Sequence, residues 1–101
     1  MNSYNATLPV LKALCDETRL CILRLLSGGE KNGCEIHRAF CCTQPTISYH
    51  MKLLVDSGLV LCRREGCAAQ YSLNTELWPS VEQLLDVLCT RTEATKEDLH
   101  E

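Results

Sequence analysis

Apolar positions recur at helical spacing through most of the chain. Leu8, Leu11 and Cys15 fall at i, i+3 and i+7, which predicts a short helix over residues 6–15 with these three facing inward. Asp16 follows as an N-cap acceptor for a second helix with Leu20, Ile22, Leu23 and Leu26 inward. Ser27-Gly28-Gly29 ends it, since glycine tolerates the left-handed cap conformation. Asn32-Gly33-Cys34-Glu35 has the shape of a capping box, and Ile36 and Phe40 give the third helix its inner side. Thr43-Gln44-Pro45 opens a fourth helix, with Thr43 as its cap. Its inner stripe is Ile47, Met51 and Leu54, its opposite side Pro45, Ser48, Tyr49 and Lys52, and Gly58 closes it. The period then changes to two. Leu59 to Arg64 alternate, Glu65-Gly66 reads as a two-residue hairpin turn, and Cys67, Ala69, Tyr71 and Leu73 share a face of the return strand. This register sets Arg64 opposite Cys67, Cys62 opposite Ala69 and Val60 opposite Tyr71. Leu77, Val81, Leu84, Leu85 and Leu88 mark a last helix, with Pro79 in its first turn.

The expected fold is mainly α with one β-hairpin, in the order α-α-α-α-β-β-α. The third and fourth helices are joined only by Cys41-Cys42-Thr43, the shape of a helix-turn-helix followed by a β-wing. One domain over residues 1–91 takes up the chain except for an acidic tail, residues 92–101, expected to be flexible. Residues 1–37 are charge-neutral, residues 38–74 carry +2 and residues 75–101 carry −5, within a total of −3. The excess of bases therefore lies in the middle third of the chain, and it is this local field that a nucleic acid meets.

At 101 residues, 46% apolar and 23% charged, the chain has a core too small to enclose a large substrate, and a subunit partner would add to it. No apolar run reaches the length of a membrane span, and the start, Met1-Asn2-Ser3-Tyr4-Asn5, lacks the pattern of an export signal. A cytoplasmic protein is expected. Its eight cysteines then point to metal binding or thiol chemistry rather than disulfides. A thiol enzyme would need Cys-x-x-Cys beside a βαβ unit, or a Cys with supporting His and Asn or Asp, and neither pattern is visible. A structural zinc module, which would lose its helices on chelation, is a further alternative.

Three segments resemble a known family. Leu14-Cys15-Asp16-Glu17-Thr18-Arg19-Leu20 is similar to its segment before the second helix, and the run from Thr43 to Leu54 to its recognition helix. Ser57-Gly58-Leu59-Val60, Arg63-Arg64-Glu65-Gly66 and Tyr71-Ser72-Leu73-Asn74 resemble its helix end and wing. The family is the ArsR/SmtB group of winged-helix metal-sensing repressors, and the likeness covers residues 8–90. It implies a homodimer, built through the first and last helices, that binds double-stranded operator DNA and releases it when an effector binds. The residues agree with that. Thr43, Gln44, Thr46, Ser48, Tyr49 and Lys52 form a helix start and face able to meet phosphates and base edges, and Arg63 and Arg64 on the wing can grip the backbone. His50 lies close to the inner stripe and reads as a half-buried structural histidine.

The sensing thiols are less directly read. Many family members carry Cys-x-Cys-x-x-Cys at the third helix. The matching positions here are Asn32, Cys34 and His37, so only the middle thiol is kept. Cys34 near a helix start has an environment that favours the thiolate. Cys41 and Cys42 are vicinal on the turn that leads into the recognition helix and can grip a soft metalloid. Cys34, Cys41 and Cys42 are thus the expected effector ligands, as two candidate sites, since Cys34 and Cys41 are seven residues apart, about 10 Å along a helix, and one ion bound by both would require the helix to unwind. As(III) is the first choice of ion, with Sb(III), Cd(II), Pb(II) or Zn(II) as others of suitable character. Cys62 and Cys67 share one wing face, diagonal to each other, Cys15 and Cys89 lie on the presumed dimer helices, and Cys21 reads as helix filler. The alternative within the same fold is a redox or persulfide sensor in which two cysteines oxidise.

Overall fold

The computed structural model describes residues 5–89. Its elements are α1 (Leu8–Leu14), α2 (Glu17–Leu26), β1 (Lys31–Asn32), α3 (Gly33–Arg38), α4 (Gln44–Ser57), β2 (Val60–Glu65), β3 (Ala68–Leu73) and α5 (Trp78–Cys89). The expected winged helix-turn-helix order is present, with β1 added. The acidic tail lies outside the described residues. No described helix is long and apolar enough to cross a membrane.

The caps explain where the helices begin. The Asp16 carboxylate accepts from the Arg19 backbone N–H at 3.0 Å, which satisfies one of the unpaired amides of α2. Asn32 and Glu35 form the full capping box, both hydrogen bonds at 2.8 Å. Thr43 caps α4, and Gly58 ends it at φ 90°, a conformation that a Cβ would strain.

The core gathers Ile22, Leu23 and Leu26 of α2, Ile36 of α3, Ile47, Met51 and Leu54 of α4, and Leu59, Val60 and Val81. Ile36, Leu54 and Leu59 are fully buried, so all three helical layers and the base of the wing meet at one point.

Several expectations need correction. In α1 the buried residues are Val10 and Ala13, while Leu8 and Cys15 are exposed. The helix has two apolar faces, and its spacing alone does not tell which one meets the core. Leu8 and Leu11 instead line an apolar groove of about 290 Å³ with Leu84 and Leu88 of α5. Leu20, expected inward, is half exposed, and Cys21 is exposed rather than filler. α3 stops at Arg38, short of Phe40, which packs on the core from the turn.

The wing register is also shifted. Cys62 pairs with Tyr71, Arg64 with Ala69, and Glu65 with Ala68, so Gly66 and Cys67 form the turn. Gly66 has φ 65° and no described non-glycine residue has positive φ, which puts the glycine first in the turn, as a type II′ hairpin demands. A turn centred on Glu65 and Gly66 would force a left-handed φ on Glu65 in the hairpin geometries that suit twisted strands. The two-residue shift keeps every side chain on its expected face. It moves Cys67 to the tip, no longer diagonal to Cys62. The short β1 completes a three-stranded sheet in the order β1-β3-β2, with Lys31 opposite Tyr71 and Asn32 opposite Gln70.

The Arg19 amide holds the Asp16 carboxyl below its ordinary value of 3.8; desolvation, the next largest effect, opposes this, and the Arg19 charge and the Thr18 amide add to the lowering. A carboxyl with a lower pKa in the folded state adds stability that is present above its unfolded pKa and is lost as pH falls through the folded one. Asp16→Ala should cost about 1 kcal/mol at neutral pH, and Asp16→Asn, which still caps, less. Urea denaturation at pH 7 and below pH 4 checks both: the difference between wild type and Asp16→Asn should shrink in acid.

Candidate nucleic-acid interface and thiol cleft

Helix α4 divides cleanly. Ile47, His50, Met51 and Leu54 are buried, while Thr43, Gln44, Thr46, Ser48, Tyr49 and Lys52 are exposed on the remaining surface. The helix is held in place from the buried side by Arg19. Its Nε donates to the Ala13 carbonyl at 2.7 Å, and its Nη1 lies 3.1 Å from Nδ1 of His50. A guanidinium only donates, so Nδ1 accepts and the ring proton sits on Nε2. At the exposed start of α4 the Thr43 hydroxyl donates to the Thr46 hydroxyl at 2.9 Å and accepts from the Thr46 amide.

The cations on this surface are engaged by acids. Lys52 Nζ is 2.8 Å from Asp56, one turn along α4, and this bond holds its ammonium pKa above the ordinary value. Arg63 bridges Glu30 at 2.7 Å and Glu65 at 3.0 Å, with its pKa raised first by Glu30 and then by Glu65. The Glu30 pairing was not readable from the sequence. It joins positions 33 apart, brought together because the connection between α2 and β1 passes beside the wing. Arg64 is exposed on β2 and lines the cleft described next.

That cleft, about 370 Å³, lies between the start of α3, the start of α4 and the wing. Its walls include Cys34, His37, Gln44, Ser48, Arg64 and Cys67. His37 Nε2 is 3.1 Å from the Cys42 carbonyl. The carbonyl can only accept, so Nε2 carries a proton and donates it.

All eight cysteines are free, seven exposed and Cys42 half-buried. The three candidate thiols stand in different surroundings, in keeping with two sites rather than one. Cys34 lines the cleft. Cys41 is exposed on the turn, and Cys42 packs against the core. Neither of them is among the cleft residues. Cys67 is, which the sequence reading missed because its wing register put that residue within the strand. Cys62 faces Tyr71, whose phenol is pushed up first by burial and then by the neighbouring thiol. Among the described residues no three His, Cys, Asp or Glu side chains are gathered closely enough to hold an ion.

A capped helix with an exposed polar face, set behind a short helix and flanked by a basic hairpin, defines a winged helix-turn-helix DNA-binding regulator, not an enzyme. Residues 16–70 match the model of the bacterial regulatory protein, arsR family. The arsenical resistance operon repressor of Staphylococcus xylosus is 44% identical over 88 residues, which span 87% of this chain and 85% of that protein. The repressor of the same description from Staphylococcus aureus is 42% identical over the same shares. The solution structure of a homodimeric winged helix-turn-helix DNA-binding domain from Mycobacterium bovis superposes with a TM-score of 0.69 at 33% identity, covering 83% of this chain and 78% of that one. The chain belongs to the ArsR family of transcriptional regulators.

Phosphate contacts release counterions, so the salt dependence of DNA affinity counts them. Lys52→Ala and Arg63→Ala should each lower the slope of log K against log salt by about 1 and weaken binding to all duplexes alike. Glu30→Gln removes a carboxylate that competes with phosphate for Arg63, so it should strengthen binding while leaving sequence preference unchanged. Fluorescence anisotropy over a salt series reads all three; unchanged slopes in both alanine variants would remove these residues from the interface.

Proposed function

We propose that this chain is a cytoplasmic repressor that holds double-stranded operator DNA as a homodimer and lets it go when a thiophilic metalloid, arsenite first, binds its cysteines. The observation that carries this reading is the cleft in which free thiol groups stand beside the residues of the recognition helix and wing. Thr43, Gln44, Thr46, Ser48 and Tyr49 would meet the major groove, and Lys52, Arg63 and Arg64 the phosphates. The effector's ligands would be thiolates beside α3 and α4: Cys34 in the cleft, or Cys41 and Cys42 on the turn. The names of the staphylococcal relatives support a metalloid effector.

Dimerisation has its own support. Leu85, Val87 and Leu88 on α5 and Leu8 on α1 are between 48% and 68% exposed. Leu8 and Leu88 line the groove between these helices together with Leu11 and Leu84, an apolar surface that a second copy would cover. The Mycobacterium bovis domain of the same fold is homodimeric.

The test is DNA release. The protein bound to the duplex upstream of its own gene is titrated with As(III), Sb(III), Cd(II), Pb(II) and Zn(II) under reducing conditions and followed by anisotropy. Arsenite should weaken the complex by roughly 5- to 150-fold, the usual range of allosteric coupling. Release only by oxidants or persulfide, with no response to any of the ions, would favour the redox sensor of the same fold.

A further inference from the structure

We infer that the effector's two primary ligands are Cys34 of α3 and Cys67 at the wing tip, so that the ion closes the cleft between recognition helix and wing. This deepens the reading above and rests on it.

Three observations place the pair. First, β1 runs into α3 and pairs with β3, with Asn32 opposite Gln70. The ladder therefore brings the start of α3 beside the start of β3, next to the turn that carries Cys67. Second, both cysteines are exposed and free, and both line the same cleft. Cys41 and Cys42 do not line it. Third, His37 is fixed at the wall of that cleft. Its Nε2–H is held by the Cys42 carbonyl, which orients the ring at the cleft wall. A ligating or positioning histidine is oriented in this way by a backbone carbonyl. A site on α3 alone has a single thiol, Cys34. The wing supplies a second.

The chemistry is ligand exchange at arsenic(III) without change of oxidation state. Arsenous acid, As(OH)3, forms two As–S bonds, to Cys34 and Cys67. Two As–O bonds break, each departing hydroxide takes one thiol proton, and two waters leave. The product keeps one hydroxide on arsenic. A soft ion and thiolate ligands suit each other. Once bound, the ion lies among Gln44, Ser48 and Arg64, which the interface needs for DNA. The His37–Cys42 hydrogen bond carries any shift of α3 to the turn that precedes α4. Arsenic and DNA therefore draw the same wing to different positions, which is the differential affinity that release requires.

Phenylarsine oxide tests the pair directly, since its one arsenic joins two thiols with loss of one water. The full-length protein is treated with one equivalent, digested with trypsin and mapped by mass spectrometry. Cys34 falls in peptide 32–38, Cys41 and Cys42 together in 39–52, and Cys67 in 65–91 with Cys89, from which fragment ions separate it. The expected product is one phenylarsenic joining Cys34 to Cys67. A product confined to Cys41 and Cys42, or one joining any other pair, would overturn the site. In parallel, Cys67→Ser should raise the arsenite concentration for half-release at least about tenfold, each variant measured against its own DNA affinity, because a chelate reduced to one thiol loses its effective-concentration advantage. A shift below twofold, with the wild type still released, would refute the Cys34–Cys67 site and leave the repressor reading standing. A Cys34–Cys67 product in a wild type that arsenite does not release would do the reverse.

Discussion

The Arg19 side chain fixes the geometry on which the DNA-binding surface depends. It leaves α2, donates to the Ala13 carbonyl at the open end of α1, and reaches His50 in the middle of α4. Carbonyls at a helix end have no partner inside the helix, and an arginine is well suited to satisfy them. Its own position is set by Asp16, whose carboxylate caps α2 through the Arg19 amide. One residue thus ties three helices together at a site where the surrounding contacts are otherwise apolar and non-directional. Burial of Ile47, Met51 and Leu54 sets which side of α4 faces the core and so which residues it turns outward. The contact to His50 adds a directional polar tether on that buried side.

Much of this was legible in the chain because caps and periodicity are local. Asp16, Asn32 with Glu35, Thr43 and Gly58 each occupy the expected position, and Ile47, Met51 and Leu54 form the buried stripe. What was not legible depends on partners far along the chain. The two apolar faces of α1 look alike in sequence, and only the packing against α4 selects Val10 and Ala13. The Glu30–Arg63 ion pair needs the fold to bring it together. The wing register turned on one glycine, and a two-residue error there hid the relation of Cys67 to α3. The thiols were visible as residues, but their grouping was not.

In the proposed function the same surface would serve two binders of opposite character. DNA requires cations and polar groups facing outward, and in the free protein Lys52 and Arg63 are engaged by Asp56, Glu30 and Glu65. These exposed pairs are weak and screened by salt, so exchange of a carboxylate for a phosphate is easily made. A soft ion requires thiolates, and the cleft offers them among the same residues. No long relay through the core is then needed. The wing and the start of α4 are themselves the element whose position both binders bias.

Equilibrium arsenite binding, measured with and without saturating duplex by a method that reads the metalloid itself, tests this account most directly. Coupling between two binding sites is reciprocal. Arsenite affinity must therefore fall on the DNA complex by the same factor, within roughly 5- to 150-fold, by which arsenite weakens DNA binding. Equal arsenite affinity for the free and DNA-bound protein would contradict the account.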